Sequence, residues 1–192
     1  ANSIPKKVIQ LENVRICPCG YKADNIFPPE EDFKPWKWGG EWGEGCDTHA
    51  WFHFVIDVPG DMRGDPTLEL CLHTDRSGWD ADNPQFLCYI DGEMRQAFDT
   101  NHRELKLGGC KNSYDVYLYA YTGPRVERSR MMLYLRTVNE DVRQLYYDIF
   151  VPRQALECLG TNSPEYMEIL TTLSMTLRQL NMLEPRGEEF HR

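Results

Sequence analysis

The segment FDTNHREL, residues 98–105, places an acid, an amide and an imidazole within four positions. These groups belong to Asp99, Asn101 and His102, and their types can bind a ligand or exchange protons. Nucleophilic catalysis is not expected, because no serine or cysteine stands beside His102 in the strand–turn–helix setting of a nucleophile elbow. Asp and Asn also bond their own backbone in turns. The segment therefore fits either a site or a hydrogen-bonded loop, and the loop is favoured.

A second polar stretch, HTDRSGWDADNP at residues 73–84, contains one tryptophan among several acidic residues. Trp79 could stack on a sugar ring while neighbouring carboxylates accept hydrogen bonds from sugar hydroxyls. Hydrolysis of a glycoside would need two carboxylates facing each other across a cleft. Candidates for such a pair are Asp75, Asp80, Asp82 and Asp99. An ordinary solvated loop has the same composition, and that interpretation is favoured.

Soft metal ligands occur near the N-terminus, where Cys17, Cys19, Cys46 and His49 could supply four donors for a tetrahedral zinc ion. Cys17 and Cys19 are separated by one residue, whereas the usual zinc pairs are separated by two or more. Reduced and partly buried thiols explain them as well. We therefore expect no cofactor and no metal in this chain.

The bulk composition limits the partners of the chain. A length of 192 residues with 41% hydrophobic residues predicts one folded domain with a short appendage. The net charge of -9 disfavours nucleic acid and anionic membranes as partners. No segment approaches the roughly 20 apolar residues that span a bilayer. Seven scattered cysteines and the lack of a signal peptide indicate a reducing, cytoplasmic location.

Apolar residues alternate with period two through most of the chain, which predicts strands. In WFHFVIDV, residues 51–58, Phe52, Phe54 and Ile56 fall on one face. The dipeptide of Asp91 and Gly92 predicts a tight hairpin. Further strands are predicted in TLELCLH (67–73), FLCYI (86–90), YDVYLYAY (114–121), MMLYLRTV (131–138) and VRQLYYDIFV (142–151). Many short strands without interleaved helices predict an antiparallel β-sandwich or jelly roll.

The two flanks differ from this central part. Residues 17–48 are rich in Cys, Pro, Gly and Trp, and we expect irregular structure there. Residues 152–159 predict a short helix that ends before a glycine. Ser163 is the expected N-cap of a second helix, whose apolar period runs to about residue 183. The expected segments are thus 1–48 (irregular, packed on the sandwich), 49–151 (sandwich) and 152–192 (helical connector).

Several motifs in order carry a family resemblance, namely THAWF (48–52), YIDG (89–92), QAFDTNHR (96–103), AYTG (120–123) and LYYDI (145–149). Together they resemble the N-terminal region of glycoside hydrolase family 38 α-mannosidases of the cytosolic or vacuolar type. The resemblance extends from about residue 36 to the end of the chain. It implies a galactose-binding-like sandwich and a helical connector placed before a zinc-dependent retaining mannosidase domain.

The family's catalytic residues cannot be carried over, because the chain has no His-x-His-x-Asp zinc motif. The chain is therefore expected to be an inactive accessory domain whose parent holds the zinc in a catalytic domain that is missing here. Its expected partners are that catalytic domain, a second copy of itself and a mannoside glycan. Trp79, Asp99, Asn101 and His102 are the candidates for sugar contact or for the rim of the substrate cleft.

The alternative is a carbohydrate-binding sandwich that acts by itself. In that case Trp79, or the group of Trp36, Trp38 and Trp42, would stack on sugar rings. For the accessory domain, in contrast, the tail helix and the face formed by Tyr117, Tyr119 and Tyr121 are the surfaces expected to pack against the catalytic domain or a sister subunit.

Overall fold

A computed structural model describes residues 5–21, 26–76, 84–125 and 128–179. The chain divides into two compact units, of which one spans Pro5–Val138 and the other contains the helices after Val138. Neither helix of the described residues is long and apolar enough to cross a membrane.

The first unit consists of strands, and the second of two helices. The strands are β1 (Pro5–Gln10), β2 (Val14–Cys19), β3 (Lys34–Trp36), β4 (Glu41–Trp42), β5 (His49–Asp57), β6 (Glu69–Thr74), β7 (Gln85–Ile90), β8 (Glu93–Phe98), β9 (Glu104–Lys106), β10 (Ser113–Tyr121) and β11 (Ser129–Val138). The helices are α1 (Glu140–Cys158) and α2 (Pro164–Gln179).

The strands form two sheets in which every pairing is antiparallel. A six-stranded sheet has the order β3-β2-β5-β10-β7-β8. A five-stranded sheet has the order β1-β11-β6-β9, with β4 also paired to β11. The predicted fold class, an antiparallel β-sandwich followed by helices, is confirmed.

The core lies between the two sheets and follows the predicted alternation. Phe52, Phe54 and Ile56 on β5 are buried there, as their period indicated. The other principal members are Leu68, Leu70, Leu72, Val116, Leu118, Leu133 and Leu135. Because side chains alternate across a strand, the odd-numbered residues of β5 and β10 point to the opposite side, which we call the outer face.

The hairpin between β7 and β8 forms as the sequence predicted. Asp91 and Gly92 both have positive φ, at 53° and 84°. A two-residue turn with both residues in this region matches the right-handed twist of the flanking strands. The carboxylate of Asp91 adds an ion pair with Lys111 at 2.6 Å, so this turn is also tied to the segment before β10.

The prediction of irregular structure over residues 17–48 was wrong in part, because β3 and β4 lie within it and β2 enters it. Pro35 lies on the edge strand β3, the kind of strand on which proline is tolerated because one side has no neighbouring strand. Pro18 lies on β2 opposite Ala50 of β5. On its other side β2 pairs with β3 only through residues 14–16, so Pro18 lies beyond the part of β2 that pairs on both sides.

The prediction of a strand over residues 142–151 was also wrong, because these residues lie in α1. Asn139 caps the helix, with its side chain accepting a hydrogen bond from the Val142 amide at 3.3 Å. Tyr146 and Phe150 stack at 5.2 Å, which places two aromatics on one face at helical spacing. Strong strand propensity at these residues is thus outweighed by a helix start signal and by i,i+4 contacts.

The tail is helical, as predicted, but with different bounds. Helix α1 begins twelve residues before Pro152, so the proline lies inside the helix and not in its first turn. Ser163 is the cap of α2, because its hydroxyl accepts a hydrogen bond from the Tyr166 amide at 3.1 Å. The two helices contact each other, and the predicted continuation to residue 183 lies outside the described residues.

Candidate functional site

The loop of Asp99, Asn101 and His102 joins β8 to β9 and is closed by its own carboxylate. Oδ1 of Asp99 accepts hydrogen bonds from the amides of Asn101 at 2.7 Å and His102 at 2.6 Å. The His102 ring lies 3.0 Å from the other oxygen of Asp99. The Asp99 amide in turn donates to the His102 carbonyl at 3.1 Å. The turn-forming role predicted for this segment is confirmed for Asp99.

The protonation of Asp99 follows from these contacts. Burial works against ionisation of the carboxyl, but the hydrogen bonds from His102 and Asn101 outweigh it and lower its pKa. The side chain of His102 is 70% exposed, and Asn101 is exposed as well. An ionised carboxylate saturated by its own loop is poorly suited to act as a general acid.

The other sugar-binding candidates lie elsewhere. Trp79, together with Asp80 and Asp82, lies outside the described residues. Asp75 accepts a hydrogen bond from the Arg130 amide at 3.1 Å and contacts the Ser129 hydroxyl. Asp75 thus orders the start of β11, and its carboxylate is engaged there.

The tryptophan group proposed to stack on sugars is not available as a group, and this prediction was wrong. Trp36 and Trp42 are buried in the core, where both rings make edge contacts with Phe52. Trp38 donates its indole N–H to the Leu133 carbonyl at 3.1 Å and meets Tyr134 edge-on. The number of tryptophans in a segment does not tell whether they are exposed for ligand binding or buried in the core.

The suggested zinc ligands lie on two strands and in one turn, and Cys19 on β2 is the cross-strand partner of His49 on β5. Cys17 and Cys19 lie on β2, Cys46 is exposed in the turn before β5, and His49 begins β5. Among the described residues no group of three or more His, Cys, Asp or Glu is arranged to hold a metal ion.

One part of the outer face is covered by the chain itself. Phe27 stacks on Tyr117 at 4.4 Å and meets Trp51 edge-on at 5.3 Å. Phe33 belongs to the same buried cluster. The tyrosine face that was expected to pack against another domain is therefore partly occupied by residues 26–33.

A polar network holds residues 26–33 against the outer face. His53 is 4% exposed and lies on Tyr117 with a ring separation of 4.1 Å. Its Nε2 lies 2.6 Å from the Asp115 carboxylate, and its Nδ1 contacts Arg15. Arg15 pairs with Glu30 at 2.5 Å, and this hydrogen bond is the main reason that the pKa of Glu30 is lowered. The network joins β2, β5, β10 and the turn at Glu30, so its role is to hold these elements together.

The uncovered end of the outer face forms a groove, which we call the His49 groove. Tyr121 of β10 pairs with His49 of β5 on one side and with Gln85 of β7 on the other. These three residues form a row across three strands. The cavity has a volume of about 780 Å³, and its lining also includes Tyr21, Asp47, Leu87, Asp99 and Tyr119.

Aromatic rings dominate one wall of the His49 groove. The ring of His49 stacks on Tyr121 at 4.9 Å and on Tyr119 at 5.5 Å. Tyr21, which is 74% exposed, meets His49 edge-on at 5.8 Å. The hydroxyl of Tyr119 lies 3.1 Å from Nδ1 of His49. The wall is therefore built from parallel rings in fixed positions, with one exposed ring at its edge.

The polar groups of the groove differ in their hydrogen bonding and protonation. Tyr121 donates its hydroxyl hydrogen bond to Asp47. Burial lowers the pKa of His49, although the Asp47 carboxylate works against this shift, so the imidazole is neutral at neutral pH. In the described part of the chain, neither Nε2 of the His49 ring nor the side-chain amide of Gln85 has a hydrogen-bond partner. Two neutral polar groups are thus left to meet a ligand or water.

Sequence reasoning named Asp99, which lines the groove, as a candidate, but it missed the groove itself. Tyr21, Asp47, His49 and Gln85 are far apart in the chain, and no local motif links them. The available signal was the polar-aromatic alternation on β5 and β10, which marks a second face that is not purely solvated. A comparison of the sequence with protein-family models and with curated proteins gave no significant match.

Proposed function

We propose that this chain is a non-catalytic accessory domain of a zinc-dependent retaining α-mannosidase. The observation that carries the proposal is the sandwich itself, which agrees with the fold that the ordered motifs imply. One of these motifs, QAFDTNHR at residues 96–103, runs from the end of β8 into a loop that is closed by its own hydrogen bonds. In this proposal terminal α-mannosides are hydrolysed by the catalytic domain of the parent, which also holds the zinc.

The helices supply the surface for domain packing in this proposal. Large apolar side chains are exposed on both of them, as at Tyr147, Val151, Met167 and Met175. Apolar patches of this kind are commonly buried by an adjoining domain or by another subunit. The adjoining catalytic domain is our first choice of partner, and a second copy of the chain is the other.

We also propose a cytoplasmic location for the protein. Burial raises the pKa of the Cys71 and Cys88 thiols. These core cysteines are therefore inert small apolar residues, which suits a reducing compartment.

A second candidate function is glycan binding by the sandwich itself. It is supported by the His49 groove, whose aromatic wall and neutral polar groups are typical of a sugar site. The two functions are compatible, because an accessory domain can hold a branch of the substrate.

The accessory role is tested by the gene and by an assay. We expect the reading frame to continue after the codon for Arg192 into a segment with a His-x-His-x-Asp motif. We also expect the purified chain to leave an aryl α-mannoside intact when zinc is added. A stop codon directly after Arg192 would overturn the accessory role, and zinc-dependent turnover by the purified chain would overturn the non-catalytic assignment.

A further inference from the structure

We infer that the His49 groove binds one neutral pyranose unit of a glycan. The inference rests on the second candidate function and gives it a site and a ligand class. Of the described candidates that were expected from the sequence, Asp99 lines the groove, whereas Asn101 and His102 do not.

The dimensions of the groove suit a small ligand. Its volume of about 780 Å³ lies within the range of roughly 300–1,000 Å³ that is typical of small-molecule sites. The row of His49, Tyr121 and Gln85 is set by strand pairing and does not depend on a loop. A site on paired strands is largely formed before its ligand arrives, which lowers the entropic cost of binding.

The charges around the groove select against anionic ligands. The described lining contains the carboxylates of Asp47 and Asp99 and no Lys or Arg, so phosphates, carboxylates and nucleotides are repelled. The same two carboxylates would tolerate a cation, so a small organic cation is the competing ligand class, and a titration with tetramethylammonium tests it. We assign the neutral class because His49 and Gln85 offer neutral groups that match hydroxyls.

The chemical groups match a sugar better than an apolar compound. Tyr21 presents an exposed ring at the groove edge, and an aromatic ring can pack against the C–H face of a pyranose. Nε2 of His49 and the side-chain amide of Gln85 can form hydrogen bonds with neighbouring hydroxyls of a sugar. Asp47 has further lone pairs that can accept from a hydroxyl, because a carboxylate offers about four acceptor sites. An apolar ligand would leave these polar groups without partners, at a cost in binding free energy.

The test is a titration of the isotope-labelled chain followed by amide chemical shifts. The probes are methyl α-D-mannopyranoside, methyl α-D-galactopyranoside, tetramethylammonium and inorganic phosphate. We expect saturable shifts of Tyr21, Gln85 and Tyr121 with one of the sugars, at millimolar dissociation constants as befits a ligand of so few atoms. We expect no saturable shifts with tetramethylammonium or phosphate.

Three substitutions at exposed positions separate binding from folding. Tyr21→Ala and Gln85→Ala should each weaken sugar binding by about tenfold, because each removes one direct contact. Asp47→Asn keeps a residue type that tolerates the positive φ of 56° at this position, and should weaken binding to a similar extent. Tyr147→Ala, an exposed tyrosine on α1, is the matched control and should leave the affinity unchanged.

The outcomes distinguish the groove from the function on which it rests. Sugar binding that survives all three substitutions would place the sugar elsewhere and overturn the groove, while glycan binding would stand. Saturable binding of tetramethylammonium or phosphate alone would overturn the neutral ligand class. No saturable binding of either sugar would overturn both the groove and the second candidate function, but not the accessory role, which the gene tests separately.

Discussion

The Asp99 carboxylate contributes to this protein mainly through its own loop. It accepts two backbone hydrogen bonds and contacts the His102 ring. Arg103, at the end of the same loop, connects it to the other sheet. Its carbonyl accepts a hydrogen bond from the backbone amide of Leu72 on β6 at 2.8 Å. A cluster that has the residue types of an active site therefore has the geometry of a turn.

We predict that Asp99→Ala lowers the free energy of unfolding by about 1–2 kcal/mol, because two backbone donors lose their acceptor. Asp99→Asn should cost less, since its amide oxygen can still accept. Urea unfolding followed by tryptophan fluorescence measures both changes. Asn101→Ala is the control and should change stability by less than about 0.5 kcal/mol. An equal loss for Asn101→Ala would contradict the assignment of the loop's stability to Asp99.

Glycines mark the positions in this fold where the backbone conformation or the available space restricts the choice of residue. Gly92 forms the β7–β8 turn with a φ of 84°. Gly109 has a φ of 62°, and a Cβ added to it would lie 2.5 Å from the Asp65 carbonyl oxygen. Gly60 has an ordinary φ and open space around its missing side chain.

These three glycines should respond differently to alanine. Gly92→Ala should lower the free energy of unfolding by about 1 kcal/mol, because only the left-handed conformation is strained. Gly109→Ala should cost more, since the methyl group also collides with backbone. Gly60→Ala, the control, should be neutral or stabilise by up to about 1 kcal/mol. Chemical unfolding of the three variants gives the ranking, and equal effects would refute the conformational argument.

Helix α1 contains an unfavourable residue at Pro152. Proline has no N–H to donate to the carbonyl four residues earlier, which costs up to about 3 kcal/mol in a helix interior. We predict that Pro152→Ala raises both the helical circular dichroism signal and the thermal midpoint of the helical unit. Gln154→Ala, at an exposed position of the same helix, should change both much less. A lower midpoint for Pro152→Ala would show that the proline ring makes an essential packing contact.

The whole molecule should lose stability in two steps as the pH falls. Burial lowers the pKa of His49 and His73 from 6.5, so the unfolded chain binds more protons just below that pH. The free energy of unfolding therefore decreases as the pH drops below about 6.5. Hydrogen bonds from Lys7, Thr67 and Lys111 lower the pKa of Asp61, Asp65 and Asp91 from 3.8.

These carboxylates add stability above their unfolded pKa, and that stability is lost as the pH falls below about 4 through their folded values. Urea unfolding between about pH 8 and pH 3 should therefore show a shallow decline followed by a steep one. The double variant His49→Gln, His73→Gln should flatten the first decline, whereas Gln154→Ala, which removes no titratable group, should not. A stability that rises between pH 7 and pH 5 would contradict the sign of both histidine shifts.

The sequence by itself determined the sandwich, because a period of two and a turn dipeptide are local properties. Phe52, Phe54 and Ile56 are buried as their spacing predicted, and Asp91 with Gly92 forms the predicted hairpin. The wrong strand over residues 142–151 shows the limit of this approach. Tyrosine, isoleucine, phenylalanine and valine favour strands, and only the Asn139 cap and the helical contacts reverse that preference.

Only the tertiary structure decided where a ligand could bind. The wall of the His49 groove joins residues from positions 21, 49, 85 and 121, which are brought together by the pairing of β10 with β5 and β7. No local pattern encodes which strands become neighbours, because antiparallel pairing is fixed by the packing of two complete faces. The same packing buried Trp36 and Trp42, which composition alone had offered as a binding platform.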